Sequence, residues 1–134
     1  MGKISKDFTW EEMTRSETAE KHNLPNIPGQ EAEEAIEELV KRTLQPLRIA
    51  YGRPIRISSG YRCRELNKLV GGTALSQHLK GEAADCVAGD ASRLLGILLA
   101  YNIPFDQAIL YKKRNFLHLS LRAERNRRQV IIND

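Results

Sequence analysis

The stretch SQHLKGEAAD (Ser76 to Asp85) sets an imidazole, His78, seven positions before a carboxylate, Asp85, with Gly81 between them. A second imidazole, His118, lies downstream in FLHLSL. The chain has 3 histidines, and the remaining one, His22, falls in the Pro/Asn/Gly-rich stretch KHNLPNIPG, where it reads as an exposed loop residue. Two imidazoles and one carboxylate make a three-ligand set suited to Zn²⁺, with a fourth position left for water. A metal held in this way brings the pKa of its water to ~7 and polarises a carbonyl, which is the chemistry that peptide-bond hydrolysis needs. Spacing alone leaves another reading open, with His78 as a loop hydrogen-bonder, Asp85 as a turn partner and His118 as an exposed strand residue.

The elements that must position these groups follow from pattern. In an extended GEAADCVA, Ala83, Asp85 and Val87 share one face, and a carboxylate among small apolar neighbours is costly to bury without a partner. Gly81 supplies a tight bend that lets His78 fold back toward Asp85, and Ala83 and Ala84 leave space. In FLHLSL the leucines Leu117, Leu119 and Leu121 form the core face, so Phe116, His118 and Ser120 point the other way, toward a cleft.

Upstream, Thr9 and Glu12 fit a capping box that opens a short helix fading near KHNLPNIPG. Ala32, Ala35, Ile36, Leu39, Val40, Thr43, Leu44 and Leu47 recur at helical intervals with charges between them, which predicts the clearest helix. Pro46 should kink or end it, with Gly52 as its stop. RPIRISSGYR reads as a strand entering a Ser-Gly turn, RELNKLVGG as a short helix, and DASRLLGILLAYN as a helix capped by Asp90. QAILYKK, FLHLSLR and RQVIIND read as three strands of an antiparallel meander. The expectation is one α+β domain, residues 1–134, with N-terminal helices packed on a small, mainly antiparallel sheet.

Totals narrow the function classes. The 134 residues, 41% hydrophobic and 28% charged, are those of an ordinary globular chain. No apolar run approaches a membrane span, and MGKISKDFTWEEM lacks the apolar core of a secretory signal, so synthesis in the cytoplasm without membrane insertion is expected. Cys63 and Cys86, the 2 cysteines, read as reduced thiols rather than ligands. The net charge of +4 divides into an acidic EAEEAIEEL and a basic end, YKKRNF and LRAERNRRQ. Such an end suits an anionic polymer or a solvated strand edge. It lacks the aromatic interleaving of a nucleic-acid binder, so no nucleic-acid partner is expected, and a monomer is.

Taken in order, SSGYRCRELNKLVGG, SQHLKGEAAD, FDQAIL and FLHLSL resemble the zinc D-Ala-D-Ala carboxypeptidase family. That family includes vancomycin-resistance dipeptidases and phage endolysin peptidases, and it shares its fold with the hedgehog signalling domain. The resemblance runs from FTWEEMTRS to NRRQV and is strongest to the short phage and prophage branch. It implies a zinc-site cleft with His78, Asp85 and His118 as ligands, and Arg62 of SGYR as the cation that steadies a substrate carbonyl or carboxylate. Ser76 and Gln77, just before the first ligand, suit substrate or outer-sphere contacts, with capping or turn formation an equally good account of Ser76. The resemblance also implies peptidoglycan stem peptides as the substrate, met at the cell wall after release or from a virion.

One element of the family pattern is missing. Relatives carry a general-base glutamate shortly before the last histidine, whereas ILYKKRNFLH has no carboxylate, and Tyr111 stands about where that glutamate would be. A phenol with a pKa near 10 is a poor base at neutral pH, although it can donate to an oxyanion or to substrate. The nearest acids are Asp106, taken as the candidate base or as an anchor for a ligand imidazole, and Glu82, which strand alternation turns away from Asp85. If neither serves, a non-catalytic, zinc-stabilised wall-binding or virion-associated domain is the alternative.

Overall fold

A computed structural model describes residues 2–134 of the chain. The fold is α+β. A two-stranded ribbon, β1 (Lys3–Ser5) and β2 (Phe8–Thr9), leads into α1 (Trp10–Thr14) and α2 (Glu17–Lys21). After these come α3 (Gln30–Leu39), a π-helical turn (Val40–Leu44) and α4 (Gln45–Tyr51). The second half contains β3 (Arg56–Ser59), α5 (Arg64–Leu69), a 3₁₀ turn (Gln77–Lys80), β4 (Ala83–Val87), α6 (Ala91–Ala100), β5 (Gln107–Tyr111), β6 (Phe116–Ser120) and β7 (Gln129–Asn133).

Local chemistry accounts for most boundaries. Thr9 caps α1 by accepting from the Glu12 N–H, Ser16 caps α2 and Asp90 caps α6 in the same way. The capping box is only half formed, because the Glu12 carboxylate accepts from the Ile57 N–H instead of returning to Thr9. The segment read as one fading helix is two, split at Arg15 and Ser16. Pro46 neither ends nor simply kinks the long helix. Its missing N–H is absorbed by a π turn, in which the Gln45 N–H reaches back to the Val40 carbonyl before α4 continues to Gly52 at φ 75°.

The main sheet has the order β3-β4-β6-β5-β7. Three of its pairings are antiparallel, but β7 runs parallel to β5, so the expected meander is corrected. The cause lies at the head of β5. The Arg127 guanidinium and N–H bind the Asp106 carboxylate, the Gln129 N–H binds the Asp106 carbonyl, and Arg128 lies over the Phe105 ring. These ties draw the chain after β6 back to the start of β5, where it can pair only in the same direction. Much of the basic end is therefore a clasp.

One face of the sheet, with Ala84, Cys86, Ala108, Leu110, Leu117 and Leu119, is buried against the helices that supply Leu39, Leu44, Leu94 and Leu98. Each fully buried leucine contributes roughly 1.5–3 kcal/mol through removal from water. On the opposite face Ala83 and Ser120 are buried, and the rows beyond them, from Asp85 and His118 onward, form the floor of a cleft of about 1330 Å³. Among the described residues no helix is long and apolar enough to cross a membrane.

Candidate metal centre

Strand register brings the first two groups together. Asp85 on β4 and His118 on β6 are directly opposed, and the His118 Nδ1 lies 2.9 Å from Asp85 Oδ1. His78 arrives from the 3₁₀ turn, which Ser76 opens by accepting the His78 N–H. Gly81 closes it at φ 76°, against the Ala32 carbonyl, where a Cβ would stand only 2.5 Å away. A glycine is required there twice over, for backbone conformation and for space. His78 Nε2 then lies 3.4 Å from Asp85 Oδ1, and the two imidazole rings meet edge-on at 5.2 Å.

The His78 tautomer follows from its other nitrogen. Nδ1 sits 2.7 Å from the Gly60 carbonyl, which can only accept, so Nδ1 carries the proton and Nε2 presents its lone pair. His78, Asp85 and His118 each offer one ligand atom, all within 4.8 Å of one another. Burial pushes the Asp85 carboxyl up, but the hydrogen bonds and positive charge that His118 and His78 supply when their rings are protonated outweigh it and hold the group well below the usual carboxylate range. An ionised oxygen beside two imidazole nitrogens, on the floor of an open cleft, is a donor set that fits a borderline divalent cation such as zinc.

Arg62 stands beside the triad. Its Nε donates to Ser59 Oγ, Nη1 donates to Asn67 Oδ1, and Nη2 lies 4.0 Å from Asp85 Oδ2. Asn67 is buried and also donates to the Thr73 carbonyl, and Gly72 presses on its amide so closely that no Cβ would fit. Asn26 brackets Arg62 in sequence, donating to the Tyr61 carbonyl and accepting the Cys63 N–H. Sequence reasoning missed Asn26, Asn67 and Ser59. Ser59 and Asn67 lie within SSGYRCRELNKLVGG without a spacing of their own to single them out, and Asn26 lies outside every such block.

The remaining candidates divide. Ser76, Gln77 and Tyr111 line the cleft with the triad and Arg62, and Tyr111 stacks on Phe116. Glu82 accepts from the Gln77 side chain. Asp106 is not brought to the cleft. Its side chain is 0% exposed and held by Arg127 at 2.8 Å, with Arg122 at 3.9 Å, and it touches neither ligand imidazole. Its expected part as base, or as anchor for a histidine, is therefore corrected: the guanidinium and the Arg127 N–H saturate it. Cys86 faces the core, where burial pushes its thiol up and keeps it inert.

The profile of the family described as Peptidase M15 matches residues 6–120. This chain belongs to the peptidase M15 family. That membership agrees with the resemblance to zinc D-Ala-D-Ala carboxypeptidases, and peptidases of this family are generally zinc-dependent. The triad, Arg62 and Gly81 all fall inside the matched span. No curated protein matches the chain.

Proposed function

We infer that this protein is a zinc peptidase that cleaves peptidoglycan stem peptides, as a D,D-carboxypeptidase or endopeptidase of the phage-lysin kind. The observation that carries the reading is the convergence of His78, Asp85 and His118 beside Arg62 in an open cleft, in a chain of the peptidase M15 family. Held by this triad, zinc would supply Lewis acidity and water activation near neutral pH.

The chain's own residues supply the rest. The Gly60 carbonyl keeps His78 in one tautomer. Ser59 and Asn67 hold the Arg62 guanidinium beside the triad, where it binds a substrate carboxylate or the oxygen on which charge develops. Ser76, Gln77 and Tyr111 are placed to contact the peptide, with the Tyr111 hydroxyl as a donor rather than a base. Glu17 is the remaining carboxylate lining the cleft among the described residues, and it is the candidate proton acceptor in place of the family glutamate. It would act at the cell wall, released from the cell or carried on a virion.

The diversion of Asp106 into its arginine clasp favours a second reading, a metal-stabilised domain that binds the wall without cutting it. Purified peptidoglycan incubated with the zinc-loaded protein, with and without chelator, separates the two. The peptidase reading predicts peptide or D-alanine release that the chelator stops. Wall binding without release contradicts it.

A further inference from the structure

The floor of the cleft continues past the triad. Beyond the paired Cys86 and Leu117, the next residues along β4 and β6 are Val87 and Phe116. Arg56 pairs with Val87 on one side, and Tyr111 pairs with Phe116 on the other. Register thus lays Arg56, Val87, Phe116 and Tyr111 in one row across four strands, two residues or about 7 Å from the row of Asp85 and His118. All four line the cleft. The Tyr111 and Phe116 rings stack with centroids 4.5 Å apart, and the Arg114 guanidinium rests over Phe116 at 5.2 Å.

Two features of this row point to a ligand. A guanidinium held over a ring keeps its donors close to the apolar bed that the ring edges offer. Neither Arg114 nor Arg56 forms an ion pair among the described residues, although both are exposed in a cleft whose acids are Asp85 and Glu17 alone. Cations left unpaired beside a metal site leave the cleft short of negative charge.

We propose that this row is a second subsite that takes a carboxylate-bearing residue of the peptide substrate. The aliphatic stem of that residue lies on the Tyr111 and Phe116 edges, and its carboxylate meets Arg114 and Arg56. A spacing of about 7 Å equals two residues of extended chain, so the carboxylate belongs to a residue within two positions of the scissile bond. The peptidase reading enters only in naming that bond.

The test uses two synthetic peptides identical except for a free carboxylate or a carboxamide at that residue, with the scissile amide reduced so that neither is cut. Each is titrated calorimetrically into the zinc-loaded wild type, Arg114→Gln and Arg56→Gln, with circular dichroism confirming the fold. The wild type should bind the carboxylate peptide at least about tenfold more tightly, as expected for charge-assisted hydrogen bonds. The preference should weaken as salt is raised and fall below about threefold in Arg114→Gln, with the carboxamide Kd unchanged. Equal binding of the two peptides, no binding of either, or wild-type preference in both variants would overturn the subsite. Cleavable versions report separately: absent turnover with the preference intact counts against the peptidase, not against the subsite.

Discussion

Asp85 and Asp106 are two carboxylates on neighbouring parts of one sheet, both held below the usual carboxylate range, and their surroundings make them opposites. Asp85 faces two imidazoles and, at 4.0 Å, a guanidinium, and 15% of its side chain remains exposed at the cleft floor. Asp106 is gripped through both oxygens by Arg127, accepts the Arg127 N–H as well, and is wholly enclosed. Imidazoles give up protons and can share an oxygen with a cation, whereas a guanidinium does neither. A low carboxylate pKa therefore does not by itself mark chemistry. The identity of the partners decides whether the acid is a ligand or a fastening.

The contrast can be broken by giving both acids the same change. Asp85→Asn should abolish tight zinc binding, an effect larger than the ~10–100-fold typical of losing an outer partner, while the fold remains intact by circular dichroism. Asp106→Asn should retain one zinc per chain and instead lower unfolding free energy by about 2 kcal/mol. That is below the usual cost of breaking a fully buried pair because Arg127 is half exposed. Zinc loss in the second variant, or its retention in the first, would reverse the assignment.

Proton supply sharpens the same comparison. If Glu17 accepts the proton, Glu17→Gln should lower kcat by about 100-fold or more with zinc retained. Equal turnover would leave the proton to solvent. Titration offers a further view of Asp106. Burial alone would raise its pKa, but the bonds from Arg127 outweigh that and depress it. The stability it adds is therefore full above the unfolded value of ~3.9 and is lost as pH falls through the folded value. Denaturant midpoints of Asp106→Asn should converge on those of the wild type below about pH 4, and a constant gap down to pH 2 would contradict this.

The smallest expected effect is at Asn67. Asn67→Asp keeps the acceptor for Arg62 and should preserve kcat/KM within a few-fold, whereas Asn67→Ala frees the guanidinium and should cost about tenfold. If Asn67 only filled space, the two variants would fall equally.

How much of this was legible in sequence depends on the range of the interaction. Alternation in FLHLSL turned His118 toward a cleft with the leucines in the core, and alternation in GEAADCVA set Asp85 on one face with Ala83 and Val87, because a strand's two faces are written in adjacent residues. Caps at Thr9 and Asp90 were legible for the same reason. The parallel seat of β7 was not, since it depends on Arg127 meeting Asp106 twenty-one positions away. Nor was the π turn before Pro46, where Gln45 is also held by Ser5 and Asp7 from the N-terminal ribbon. The triad could be proposed because two of the three histidines and one aspartate fell within an ordered set of blocks. Asn26 and Asn67 could not, as an asparagine that braces a loop resembles any other asparagine until the loop is folded.

The central claim is that His78, Asp85 and His118 share one divalent ion. Zinc titration of chelator-stripped protein, followed by mass spectrometric metal analysis, tests it most directly in the wild type, His78→Ala and His118→Ala. The account predicts one tightly held zinc per chain in the wild type and none in either variant. Unchanged zinc stoichiometry and affinity in the folded His118→Ala protein would contradict it.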